Sequence, residues 1–298
     1  MSISAKKILR SDYCVVGGGV IGSSIARALA KKHPQSKILL LEKDNDTFLH
    51  NSTKNSAVLH AGMYYKPGSM KAKLCPRGNS MLKAYMKEKG VWFNECGKLI
   101  LPKHEREDPI VEKIYKQGLA NGVRVGLVDE QQCKRIEPLA RTHPNFQRGI
   151  FCPDTAVGDL YGVASALKSD LLKIENVEVM TGAGFDQLID QDKNKIRFRT
   201  SNDDIIETGQ LVNSAGYGCL EVANKFGVGT DLEMIYLKGY YLKAARSELR
   251  PEDIPKVLIY PIPPTETNIF LGVHTTQMQH YYKLGPTAIP GLSGTHYG

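Results

Sequence analysis

A chain of 298 residues with 42% hydrophobic content can bury one large core or two ordinary ones. Its formal charge of +8 is spread along the sequence, which favours a solvated basic surface and argues against a nucleic-acid site. The six cysteines, Cys14, Cys75, Cys96, Cys133, Cys152 and Cys219, show neither CxxC spacing nor a companion histidine at zinc-ligand distance; they read as reduced thiols of an intracellular protein, with no metal site expected.

The N-terminal MSISAKKILRS lacks the apolar region of a secretory signal, and no apolar run is long enough to span a bilayer. Lys6, Lys7 and Arg10 suit a very short organellar targeting segment or a disordered basic lead-in. The stretch DYCVVGGGVIGSSIARALAKKHPQSKILLLEKD then orders its parts as strand, glycine turn, helix, strand and acid. Gly17 permits a tight turn, Gly19 lets backbone approach a pyrophosphate, and Gly22 lets helix and strand pack closely, with the helix N-terminus supplying amide donors. Glu42, twenty residues after Gly22, is placed to accept hydrogen bonds from ribose hydroxyls and disfavours a 2′-phosphate. The unit predicts dinucleotide binding and leaves FAD and NAD open.

Further along, GNSMLKAYMKEKG reads as an amphipathic helix stopped by Gly90, CGKLILP as a strand, and DPIVEKIYKQGLANG as a helix stopped at Gly122. VDEQQCKRIEP predicts a short helix ended by Pro138, and Asp159 a helix N-cap. Turns at QDKN and SNDD separate several strands, the last of which, QLVNSAG, meets Gly216; EMIYLKGYYLKA, KVLIYPIP and NIFLGVHTT read as further strands. The fold class expected is α/β: a Rossmann-like nucleotide domain at about residues 1–90 and 151–222, interrupted by a mainly β substrate domain at 91–150 and 223–298.

One segment, NSTKNSAVLHAGMYYKPGSMKAKLC, has no clear periodicity yet gathers His60, two tyrosines and two lysines. It resembles the FAD-dependent L-2-hydroxyglutarate dehydrogenase family of the D-amino-acid-oxidase-like flavoproteins, and ECGKLI, CPDTAV, NSAG, LKGYYL, YPIP and FLGVHTT resemble that family's later blocks in the same order. The resemblance implies noncovalent FAD, a small dicarboxylate 2-hydroxy acid as substrate, hydride transfer from its C2 to flavin N5, and a respiratory-chain electron acceptor. It further implies a mitochondrial location in a eukaryote, or otherwise a cytoplasmic one or peripheral association with the inner membrane.

Within these blocks either His60 or His274 suits the base, since a hydroxyl being oxidised must lose its proton. Tyr64, Tyr65, Lys71, Lys73 and Tyr241 are candidates for the substrate carboxylates. Thr53, Asn55 and Ser56 are candidates for the flavin, joined by Lys43, Ala215 and Gly216 beside the nucleotide turn. Three departures stand against the family pattern: Gln277 or Met278 replaces an expected cation, the Ala215–Cys219 block loses a polar partner, and the chain stops at GTHYG, where relatives continue. They keep a second reading open, a shortened or diverged noncatalytic paralogue that retains the fold; a nicotinamide-dependent dehydrogenase ranks third.

Overall fold

The strand Ile8–Val16 lies between Ile205–Asn213 and Ile38–Leu41, parallel to both, so both of its faces need covering. Parallel neighbours also need a crossover, and the helix Val20–Lys32 supplies it, laying Ala26 and Ala30 against Val15, Ile38 and Leu40. The computed structural model describes residues 7–262, 272–291 and 294, and counts below are of these. The sheet has six strands, ordered Phe185–Gln191, Ile196–Thr200, Ile205–Asn213, Ile8–Val16, Ile38–Leu41 and Val177–Met180. All four side chains of Ile38–Leu41 are buried, which stabilises the sheet by about 1.5–3 kcal/mol each. At its antiparallel edge, Asp192 accepts from the Asn194 amide at 2.8 Å and closes the turn expected at QDKN.

The glycine turn is fixed by what crowds it. Gly17 has φ +106°, and a Cβ there would lie 2.3 Å from the Ser214 carbonyl oxygen. Ser214 in turn donates both its amide and its hydroxyl to the Val16 carbonyl at 2.8 Å, so the end of the Ile205–Asn213 strand clamps the end of the first.

The chain divides into two units, 1–55 with 160–236 and 291–298, and 56–159 with 237–290. The crossings lie at 55/56 and 159/160, where the sequence pattern places them near 90 and 150. Pairing causes the difference: Val58–Leu59 and Phe93–Asn94 both hydrogen-bond to Ala156–Gly158, so segment 56–159 closes on itself. The helix that begins this segment is also longer than its periodicity implies. It runs Met70–Glu88, because Ser69 accepts from the Ala72 amide at 3.3 Å and caps it, and Pro76 lies within it.

The second unit carries three helices beside its sheets, Met70–Glu88, Asp108–Ala120 and Glu130–Ile136. The last is held by a capping box between Asp129 and Gln132. A four-stranded sheet is ordered Leu258–Pro261, Lys98–Leu101, Gly149–Cys152 and Gly126–Val128, and a three-stranded one Leu242–Ala245, Tyr281–Gly285 and His274–Gln277. EMIYLKGYYLKA is thus two short strands, Tyr236–Lys238 and Leu242–Ala245, and residues 268–271 of the predicted NIFLGVHTT strand lie outside the described residues.

Gly22 offers a test of the first unit. A Cβ at this position would lie 1.9 Å from the Gly17 carbonyl oxygen and 2.6 Å from the Ser214 hydroxyl. Gly22→Ala is expected to cost about 3 kcal/mol or more by overpacking. Urea denaturation reads this directly, and an unchanged midpoint would contradict the packing described.

Candidate functional site

In the first unit, a cavity of about 490 Å³ opens where the glycine turn, the acid after the second strand and the NSAG segment meet. Gly17, Gly19, Glu42, Lys43, Ala215 and Gly216 line it, and Gly22 serves the packing behind the turn, the role its spacing gave it. Glu42 is 7% exposed, and its two carboxylate oxygens accept the Gly18 amide at 2.8 Å and the Asp44 amide at 3.0 Å. The carboxylate therefore holds the glycine turn while keeping lone pairs for a diol. Around the rim, Lys43 contacts the Tyr217 hydroxyl, His50 meets the edge of the Tyr217 ring at 5.2 Å, and His50 Nε2 lies 2.6 Å from Asp44 Oδ2.

Of the polar residues expected after this turn, Asn55 reaches the cavity and Thr53 and Ser56 do not. Ser52, not named from the sequence, lines the cavity and accepts the Val20 amide at 2.9 Å. Thr53 is buried, with its hydroxyl donating to the Phe48 carbonyl at 2.8 Å, and it does not line the cavity. Asn55 lines it, with its amide donating to the Asn51 carbonyl at 2.9 Å, while Ser56 belongs to the second unit. The set fits a dinucleotide: a side-chain-free Gly19 at the start of a 13-residue helix suits a pyrophosphate, and Glu42 suits ribose hydroxyls.

The second unit holds a different kind of site, built around a buried ammonium. Lys98 is 1% exposed, and its Nζ stands 4.4 Å from the Tyr64 ring centroid and 4.9 Å from that of Tyr260. Among the described residues no carboxylate pairs with it. Burial pushes its pKa down from 10.5 to about 8. His274, 5% exposed, stacks on Tyr260 at 4.0 Å, and His60 meets the edge of the same ring at 6.5 Å. Both imidazoles are held neutral, His60 at about 3 by burial and the charges of Lys98 and His274, and His274 at about 4 by burial, opposed by a hydrogen bond to Gly272 and reinforced by Lys98 and Lys283.

Several polar atoms here are unsatisfied. The Tyr64 and Tyr260 hydroxyls and His274 Nε2 are buried without hydrogen-bond partners among the described residues. Buried groups of this kind are costly unless something pairs with them, and an anionic ligand with a hydroxyl would do so. Beneath them, the Asn79 side chain donates to the carbonyls of Leu59, His60 and Asp154 at 2.8, 3.3 and 3.2 Å and fixes the backbone that presents His60.

The structure thus gathers His60, Tyr64 and His274, with Tyr241 beneath a second ammonium, that of Lys283, at 5.1 Å. Tyr65 lies outside the paired rings, 6.0 Å from the exposed Lys71, and Lys73 is exposed on the same helix. Gln277 and Met278, where the family pattern has a cation, are both buried, and the Gln277 amide is held by the Lys256 carbonyl. Lys98, Tyr260 and Lys283 were not singled out by sequence reasoning. The signal for Lys98 was present, a lone lysine opening the apolar run KLIL.

Comparison with known proteins agrees in family and fold. A family model described as DAO, FAD dependent oxidoreductase, matches residues 12–297. Mitochondrial L-2-hydroxyglutarate dehydrogenase of Homo sapiens is 34% identical over 291 residues, covering 93% of this chain and 61% of the relative. The Pongo abelii protein of the same name is 33% identical, at 93% and 67% coverage, and Escherichia coli O17:K52:H18 L-2-hydroxyglutarate dehydrogenase is 30% identical, at 93% and 64%. The chain therefore spans between 61% and 67% of the length of these relatives. Among solved structures, FAD-bound L-alpha-glycerophosphate oxidase from Mycoplasma pneumoniae superposes with TM-score 0.79 at 21% identity, covering 96% of this chain and 73% of that one. Glycine oxidase from Geobacillus kaustophilus superposes with TM-score 0.76 at 18% identity, covering 95% and 72%.

The buried charges set a pH dependence. Lys98 has a folded pKa below its unfolded one, so the unfolded chain binds the extra proton, and stability rises between pH 8 and 10.5 and is reduced below that window. The difference is worth about 3 kcal/mol. Lys98→Met is expected to gain about that much stability at pH 7 in urea denaturation; a less stable variant would contradict the burial cost. The neutral histidines act on the acid side, and stability is expected to fall as pH drops from 6.5 towards 4.

Proposed function

This chain belongs to the FAD dependent oxidoreductase family, and we propose that it oxidises L-2-hydroxyglutarate to 2-oxoglutarate. The observation that carries the reading is the buried ammonium of Lys98, without a carboxylate partner among the described residues, beside neutral histidines and hydroxyls without partners among them, joined to the names of the relatives. FAD, when bound, supplies the acceptor for the hydride that leaves C2. Lys98 holds the carboxylate next to the reacting carbon, a charge-assisted contact that replaces the water it lost on burial. The hydroxyls of Tyr64 and Tyr260 donate to the same end of the substrate.

His60 takes the hydroxyl proton as C2 becomes a carbonyl carbon. Its side chain is partly exposed, and burial keeps it neutral well below physiological pH. One observation favours a second assignment. His274 Nδ1 lies 3.1 Å from the Gly272 carbonyl, which places the proton there and leaves the partnerless Nε2 as an acceptor.

In a eukaryotic source the compartment would be the mitochondrion, as in the names of its eukaryotic relatives, with the electrons passing to a respiratory acceptor. Peripheral attachment to the membrane carrying that acceptor would bring the two together; no helix among the described residues is long and apolar enough to cross a bilayer.

Anaerobic addition of L-2-hydroxyglutarate is expected to bleach the bound flavin, and the D isomer is not. Flavin that neither isomer reduces would sink the proposal. Replacing the base by glutamine is expected to slow reduction by about 10²- to 10⁴-fold with little loss of 2-oxoglutarate binding. Rapid-mixing absorbance of His60→Gln and His274→Gln identifies which histidine that is.

A further inference from the structure

Asparagine is a poor helix former, yet Asn79 is the central residue of the Met70–Glu88 helix and is 8% exposed, where an apolar side chain would pack at less cost. Cys75 and Lys83 lie one turn to either side of it on the same face, and each of the three donates to a backbone carbonyl. Cys75 Sγ donates to the His60 carbonyl at 3.2 Å, Asn79 Nδ2 to the carbonyls of Leu59 and His60 at 2.8 and 3.3 Å, and Lys83 Nζ to that of Asp154 at 2.8 Å.

These carbonyls lie where the strand pairing gives out. Val58 and Leu59 pair with Val157 and Ala156, and His60 is the first residue beyond that register. The chain then presses on the helix: Gly62 has φ +96°, and a Cβ there would lie 2.9 Å from Pro76 Cδ and 3.3 Å from Cys75 Cβ. Helix side chains therefore take the place of a sheet ladder at His60, whose carbonyl receives two donors. The imidazole itself meets the edge of Tyr260 at 6.5 Å, so backbone and ring are held from different elements.

Resting on the reading that His60 takes the hydroxyl proton of the substrate, we propose that Asn79 is the positioning residue that holds His60 in line for that transfer, with the Cys75 thiol as second donor. A base must stand within hydrogen-bond reach of the proton it takes, and a displacement of about 1 Å costs on the order of a hundredfold in rate. In this role Asn79 acts through His60 and not on the substrate. A merely structural Asn79 would tie helix to strand without bearing on the base.

The test is a double-mutant cycle on flavin reduction, read by anaerobic rapid mixing with saturating L-2-hydroxyglutarate. Asn79→Leu, close in size but without the amide, is expected to slow reduction roughly ten- to hundredfold, while 2-oxoglutarate binds within about threefold of wild type. In the His60→Gln protein the same change is expected to slow reduction by less than about threefold, because an absent base gains nothing from being held. Asn79→Ser carries the same expectation with a smaller change of polarity, and it replaces Asn79→Leu if urea denaturation shows that variant unfolded. Unchanged reduction, equal slowing in both backgrounds, or a parallel loss of 2-oxoglutarate binding overturns the proposal. Full-rate reduction by His60→Gln overturns the reading on which it rests, and that failure shows before Asn79 is changed.

Discussion

The ammonium of Lys98 is 1% exposed, and among the described residues no carboxylate pairs with it; the electrostatics of the second unit follow from that. The strand that carries it, Lys98–Leu101, is central in its sheet and buried along its whole length, so a side chain leaving its first residue cannot reach solvent. Two aromatic faces take up part of the charge, each worth about 0.5–2 kcal/mol as a cation–π contact. They do not abolish the cost, because the pKa still falls to about 8. Burial first, and the remaining positive potential second, hold both imidazoles unprotonated at neutral pH, the state a proton acceptor requires.

The first unit solves the opposite problem. Its polar groups are largely committed to one another: Glu42 to two backbone amides, Ser52 to the helix start, Ser214 to the first strand, and His50 to Asp44. Such a network rigidifies the walls of the cavity while leaving lone pairs of Glu42 open to a ligand. Among the described residues the second unit leaves hydroxyls and a ring nitrogen without partners, which suits a ligand that exchanges with solvent.

What could be read from the sequence follows the range of the interactions. The glycine turn, its helix and Glu42 are close in sequence, and each has a reason visible in the residue type, so their placement around one cavity was legible. Ser52 was missed by one position because the choice between Ser52 and Thr53 depends on which hydroxyl the turn aims at Val20 and which at Phe48. The boundary at 55/56 was not legible either, since it depends on Val58–Leu59 pairing with Ala156–Gly158 about a hundred residues away. Lys98 was visible as an anomaly in an apolar run, but only the sheet order says that its strand has neighbours on both sides.

Lys98 also explains why a basic chain need not have an anion site on its surface. Most of its lysines and arginines are exposed or paired with carboxylates, as Arg124 is with Asp154 and Lys168 with Asp46, and such charges are screened by salt and worth little to a small ligand. A charge that has already lost its water attracts a carboxylate across a low-dielectric gap, where each contact is stronger than on the surface. Such a charge is set by the interior, through the strand that carries Lys98, whatever the net charge outside.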